Sequence, residues 1–182
     1  MNFKLPTLYK RLLAILIVAG PFSWLVFTED GQRRTDSVLL RLAGEKEISL
    51  NLKALDNRFS EDELKKAFPD IDWQCRDQAS NFGNRLCASS IGVYNGIPSR
   101  LIAVYLQDRR ISGLKLVYRP NYHEQLLQQL LQQLGQPQRE NKLGDGAPQP
   151  DTILRWQTGE GTVILKQRLA QQDEPALIWL TN

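Results

Sequence analysis

The chain has 182 residues, of which 42% are hydrophobic and 24% charged. Those proportions are close to the soluble globular average and exclude both an intrinsically disordered chain and a polytopic membrane protein. The net charge of +3 comes entirely from Lys4, Lys10 and Arg11: from residue 28 onward 20 Lys+Arg face 20 Asp+Glu. No basic run there exceeds Arg33-Arg34, Lys65-Lys66 or Arg109-Arg110, so the electrostatic footprint of a nucleic-acid binder is missing.

Residues 12–27 (LLAILIVAGPFSWLVF) carry no charge and follow Lys10 and Arg11. At ~1.5 Å per residue a helix of this length spans roughly 24 Å, enough for a bilayer core if Leu8 and Tyr9 join it and the two basic side chains snorkel. Ser23 is its one clearly polar side chain, which argues against a buried core helix. Cleavage sites are poor, because a cut after Gly20 would leave Pro21 next and no Ala-x-Ala follows Phe27. The segment is therefore read as a retained signal-anchor. The positive-inside bias puts residues 1–11 in the cytoplasm, 12–27 across the inner membrane, 28–44 as a juxtamembrane spacer and 45–182 as a periplasmic domain.

Within that domain, 47–52 (EISLNL) alternates as a strand. Ser60 and Glu63 spell a capping box, with Phe59 and Leu64 placed as a hydrophobic staple; Pro69 ends the short helix, and 70–75 reads as extended. A strand over 85–94 runs into Asn95-Gly96, a strong hairpin signal. Residues 100–106 (RLIAVYL) form a near-continuous apolar run suited to a central strand, and 111–118 alternates after a second turn. Over 122–134, Leu126, Leu127, Leu130, Leu131 and Leu134 make one stripe, with Asn121 and Glu124 as a capping box and Gly135 and Pro137 as a stop. Residues 138–151 have no period and read as a loop. Strands at 153–158, 162–169 and 176–180 complete a terminal meander. The fold class is α+β: antiparallel β-meanders with two helices packed on the sheet, and helix starts at Ser60 and Asn121 that hint at a duplicated α-plus-meander unit.

Little in the domain spells chemistry. Cys75 and Cys87 are the only cysteines, and outside the cytoplasm such a pair is most simply a disulfide. A redox pair would show C-x-x-C, and zinc would need further ligands where the chain has one histidine, His123, placed on the solvated flank of its helix. Neither a G-x-S-x-G elbow nor a phosphate-cradling glycine loop occurs. Asp70 with Asp72 and Glu61 to Glu63 fit solvation and helix N-terminal charge. No catalytic residue, metal site or cofactor is assigned. Trp73, Trp156 and Trp179 fall in strand patterns and belong to the core. Tyr94, Tyr105 and Tyr118, on the central hairpins, are the candidates for an exposed binding face.

From the second helix onward, Tyr122, Leu126, Leu130 and Leu134-Gly135-x-Pro137, then Trp156, the 162–165 strand and 176–180, the pattern resembles the helix-then-meander repeats of small bacterial envelope proteins, β-lactamase-inhibitor-protein-like and BamE-like. The resemblance spans roughly residues 60–181 and implies a periplasmic module that binds other proteins without catalysis. Unlike the lipoproteins among them, this chain has no lipidated cysteine. The function expected is thus an inner-membrane-anchored, non-catalytic interaction or accessory module with an envelope protein partner; the alternative is a domain that binds a small ligand, lipid or cell wall.

Overall fold

The computed structural model describes residues 17, 19, 20, 46–56, 59–140 and 152–182. The chain divides into two units, Met1–Gly44 and Glu45–Asn182. In the first, Ile17, Ala19 and Gly20 are helical. Apart from them, the span and spacer expected over 12–44 lie outside the described residues, among which no helix is long and apolar enough to cross a membrane.

The second unit is dominated by one ten-stranded sheet. In chain order its strands are β1 (Glu47–Ile48), β2 (Gln74–Ser80), β3 (Gly83–Ser90), β4 (Val93–Tyr94), β5 (Ile97–Gln107), β6 (Arg110–Tyr118), β7 (Gln138–Glu140), β8 (Ile153–Gln157), β9 (Gly161–Lys166) and β10 (Ala176–Thr181). Two short helices accompany them among the described residues, α1 (Glu61–Ala67) and α2 (His123–Leu134), the latter entered through a 3-10 turn at Pro120–Tyr122.

The expected fold class needs correction on this point. The strand order is β1-β4-β5-β6-β10-β9-β8-β7, with β3 also on β5 and β2 beyond β3. The last strand, β10, pairs antiparallel with β6, so the terminal meander continues the central hairpins in one sheet. Pairing between β1 and β4 is parallel, which makes that sheet mixed. The domain is thus mostly one large mixed sheet with two short helices among the described residues, and not the α+β layering expected.

Local chemistry explains the elements. Ser60 Oγ accepts the Glu63 N–H at 3.3 Å and a Glu63 carboxylate oxygen accepts the Ser60 N–H at 2.7 Å, closing the expected box on α1. The box expected on α2 is not made: its cap is Tyr122, with no side-chain bond, because the 3-10 turn carries Asn121 past the capping position. Asn95 and Gly96 adopt φ of 47° and 79°, as the hairpin required. The strand expected over 47–52 stops at Ile48, since the polar groups of Leu50 are taken by a side chain, while Leu52 still reaches the core from a turn. Part of the expected 138–151 loop is strand, β7 pairing with β8, and 141–151 lie outside the described residues.

Register fixes the two faces of the sheet. One carries Val104, Leu114, Leu116, Leu177, Trp179, Val163, Leu165 and Trp156, all buried. Against it pack Leu126 and Leu130 of α2 and Leu64 of α1, with Leu127, Leu131 and Leu134 at the margin. Tryptophans 156 and 179 are core, as expected, each with its indole N–H bonded, to the Gly135 carbonyl at 2.8 Å and to Thr158 Oγ1 at 3.4 Å. Trp73 is partly buried against the same cluster.

Candidate functional site

The opposite face is built from the alternate residues. Register places Leu86 of β3, Leu101 and Tyr105 of β5, Val117 of β6, Ile164 of β9, and Ile178 and Leu180 of β10 there. Leu101, Tyr105, Ile164, Ile178 and Leu180 remain half-buried and stand apart from the core cluster, to which both helices give their buried side chains. At its centre is Gly113, where a Cβ would come within 3.1 Å of Leu180 Cδ2 and 3.7 Å of Tyr105 Cδ2, so these two side chains lean together over the glycine. Phe82, 42% exposed at the tip of the β2–β3 hairpin, extends the patch: its ring lies 5.3 Å from that of Tyr105, tilted by 51°. The Ser112 hydroxyl donates to the Phe82 carbonyl and ties the tip to β6.

Basic strand residues border the apolar centre. Arg76, Lys115, Arg155 and Lys166 share this face by register. Two of them are met by acids of the loop before β10: Lys115 pairs with Glu174, and Lys166 with Asp173 at 2.7 Å. The Lys166 ammonium, helped by the Ala170 N–H, holds the Asp173 carboxyl below its usual range.

Of the three tyrosines expected to share an exposed face, only Tyr105 does. Tyr94 is 2% exposed and its hydroxyl donates to the Leu50 carbonyl at 3.3 Å; Tyr118 is fully buried and its hydroxyl bonds His123 Nδ1 at 2.7 Å. Burial raises the hydroxyl pKa of both. The split follows from plain alternation: Tyr118 keeps the inward phase of Leu114 and Leu116 along β6, whereas Tyr105 lies opposite Gly113, five steps away on that strand and so on the other face. His123 is also buried rather than solvated, its Nε2 3.1 Å from the Gln167 carbonyl. Since a carbonyl only accepts, Nε2 carries the proton and Nδ1 accepts from Tyr118. Both ring nitrogens are thus engaged within the fold.

A second cluster lies on the core side of the sheet's β2 edge. Cys75 and Cys87, directly opposite in the β2–β3 register, form a disulfide, as expected. Beside it Arg85 donates through Nε to Glu61 at 2.5 Å and through Nη1 to Asp77 at 2.7 Å, while Lys65 holds Glu61 at 2.7 Å. Arg85, then Lys65, pulls the Glu61 carboxyl down to about 2, and the same carboxylates raise Arg85. Glu61, Asp77 and Arg85 line an open polar cleft of about 920 Å³ together with Asp62, Asp108 and Arg109. Sequence reasoning took Glu61 only as helix N-terminal charge and passed over Arg85 and Phe82. The one available signal for Phe82 was an aromatic between Asn81 and Gly83, in a stretch with turn chemistry.

No family model and no curated protein matches the chain. Among solved structures, a DUF4309 family protein (YjgB) from Bacillus subtilis subsp. subtilis str. 168 is similar at 14% identity and a TM-score of 0.42, over 82% of this chain and 93% of that one. That likeness is too slight to carry an argument about fold or function.

Proposed function

We propose that residues 45–182 are a non-catalytic protein-interaction module of the bacterial envelope, acting on the periplasmic side with the apolar 12–27 segment as its tether to the inner membrane. The observation that carries this reading is the uncovered face around Tyr105, Phe82 and Leu180. Large apolar side chains left half-exposed in one contiguous patch mark an interaction surface more often than a bare surface, and an aromatic pair at its edge is the usual form of an anchor. Phe82 is exposed while Tyr105 and Leu180 are partly buried, which suits a partner that brings apolar groups to them. At the rim Lys115 and Lys166 are held in ion pairs with Glu174 and Asp173, so the margin is mixed in charge and the apolar centre carries the contact, while these paired charges fix its orientation.

The test is site-specific photo-crosslinking in cells from position 105, compared with position 78 on the outer edge. The expected result is one discrete protein adduct from 105 that weakens when Lys115 and Lys166 are reversed to Glu. Equal adducts from both positions, or none from 105 in a folded chain, would remove the reading. Protease accessibility of residues 45–182 in spheroplasts tests the compartment separately.

A further inference from the structure

The disulfide and Glu61 meet at one point. One carboxylate oxygen of Glu61 and the sulfurs of Cys75 and Cys87 lie within 4.8 Å of one another. We infer that reduction of this bridge converts the cluster into a metal site, with Cys75 Sγ, Cys87 Sγ and the Glu61 carboxylate as three ligands for a zinc-like divalent cation.

A dithiol, small or protein-borne, supplies the electrons. Its thiolate attacks the sulfur of Cys75, the part-exposed partner, since Cys87 is fully buried. The S–S bond breaks, the mixed disulfide resolves on the donor's second thiol, and the donor leaves oxidised. Two electrons and two protons have then passed to Cys75 and Cys87, and the metal displaces one proton from each thiol on binding.

The geometry asks for little movement. Zinc bonds of ~2.3 Å to sulfur and ~2.1 Å to oxygen in a tetrahedron put the ligand atoms about 3.5–3.8 Å apart. That separation falls within the 4.8 Å that bounds the cluster. Strand β2 pairs only with β3, so one side of the site can give way. Glu61 keeps its present bonds and still has capacity: its two oxygens offer about four lone-pair sites, and Lys65 and Arg85 use three. The open cleft that Glu61 and Arg85 line brings water to the carboxylate side of the cluster, from which a fourth ligand can come.

Charge and ligand type select the ion. Two thiolates, Glu61 and Asp77 carry four negative charges and Arg85 and Lys65 two positive ones, so a divalent cation neutralises the cluster. Two sulfurs exclude calcium and magnesium, which take oxygen ligands. The single histidine of the chain takes no part in this arrangement, whose third ligand is a carboxylate.

The test uses the full chain in non-ionic detergent, reduced with a phosphine, desalted without oxygen and titrated with Co²⁺. One Co²⁺ per chain should bind with thiolate-to-cobalt charge-transfer absorption, be displaced by Zn²⁺, and be absent from the oxidised protein. Glu61→Gln leaves the cysteines intact and should weaken Co²⁺ at least about tenfold. Absence of the charge-transfer band, equal affinity in Glu61→Gln, or loss of the β-sheet circular dichroism on reduction would each overturn the proposal.

Discussion

The side chain of Asn95 holds both polar groups of one residue across the fold: its Oδ1 accepts the Leu50 N–H at 2.9 Å and its Nδ2 donates to the Leu50 carbonyl at 2.8 Å. A hairpin turn thus replaces the ladder that the 47–52 pattern was expected to join. It fixes the segment that delivers Leu52 and Leu55 to the core. Asn95→Gly tests the clamp, since glycine keeps the positive φ and removes only the two bonds. A loss of about 1–3 kcal/mol in urea unfolding is expected. An unchanged midpoint would mean that the segment is held by packing alone.

What the sequence disclosed, and what it hid, follow from the range of the interactions. The Ser60 cap, the Asn95-Gly96 turn, the leucine stripe and the central β5 strand depend on neighbours within a few residues, and all are present. The cysteine pair was readable because only one pairing exists. The pairing of β10 with β6 was not, because no local signal says whether a terminal meander closes on itself or joins an earlier strand. The tyrosine face failed for a smaller reason: it grouped residues by strand and not by phase, and alternation along β6 already sets Tyr118 inward with Leu114 and Leu116, opposite to the face that Tyr105 shares with Gly113.

Glu61 makes stability depend on acid. Its carboxyl is lowered from 4.5 to about 2, by Arg85 first and Lys65 second. A carboxylate depressed on folding contributes fully above its unfolded value, and the contribution falls away as pH drops toward 2. Glu61→Gln should therefore lower stability by about 1 kcal/mol at pH 7, and the gap to the parent chain should close between pH 4.5 and 2. Chemical denaturation across that window reads it, and a pH-independent gap would show that geometry matters there and charge does not.

The Cys75–Cys87 bridge closes a short loop, with a sequence separation of 12, for which the chain-entropy account gives about 3 kcal/mol. The Cys75→Ala, Cys87→Ala double variant should lose roughly 2–3 kcal/mol of global stability. Because β2 is bound only to β3, amide exchange over 74–80 should accelerate more than exchange in β5 or β6. Uniform acceleration across the sheet would contradict a local role for the bridge at this edge.

Gly161 stands where the sheet admits no side chain. A Cβ there would lie 2.5 Å from Trp179 Cε2, 2.6 Å from Trp179 Cζ2 and 2.5 Å from the Leu180 carbonyl oxygen. The carbonyl belongs to the neighbouring strand β10, and the indole is fully buried with its N–H bonded to Thr158, so neither can swing aside. Relief must come from opening the β9–β10 pairing at its end, where Thr181 faces Gly161. Gly161→Ala should cost at least about 1–3 kcal/mol, the usual range for an overpacked core, and should alter the near-ultraviolet circular dichroism of Trp179. Gly159→Ala is the control: nothing lies within 4 Å of its Cβ position, so stability there should hold. If both variants melt alike, the contact with Trp179 is not what demands glycine at 161.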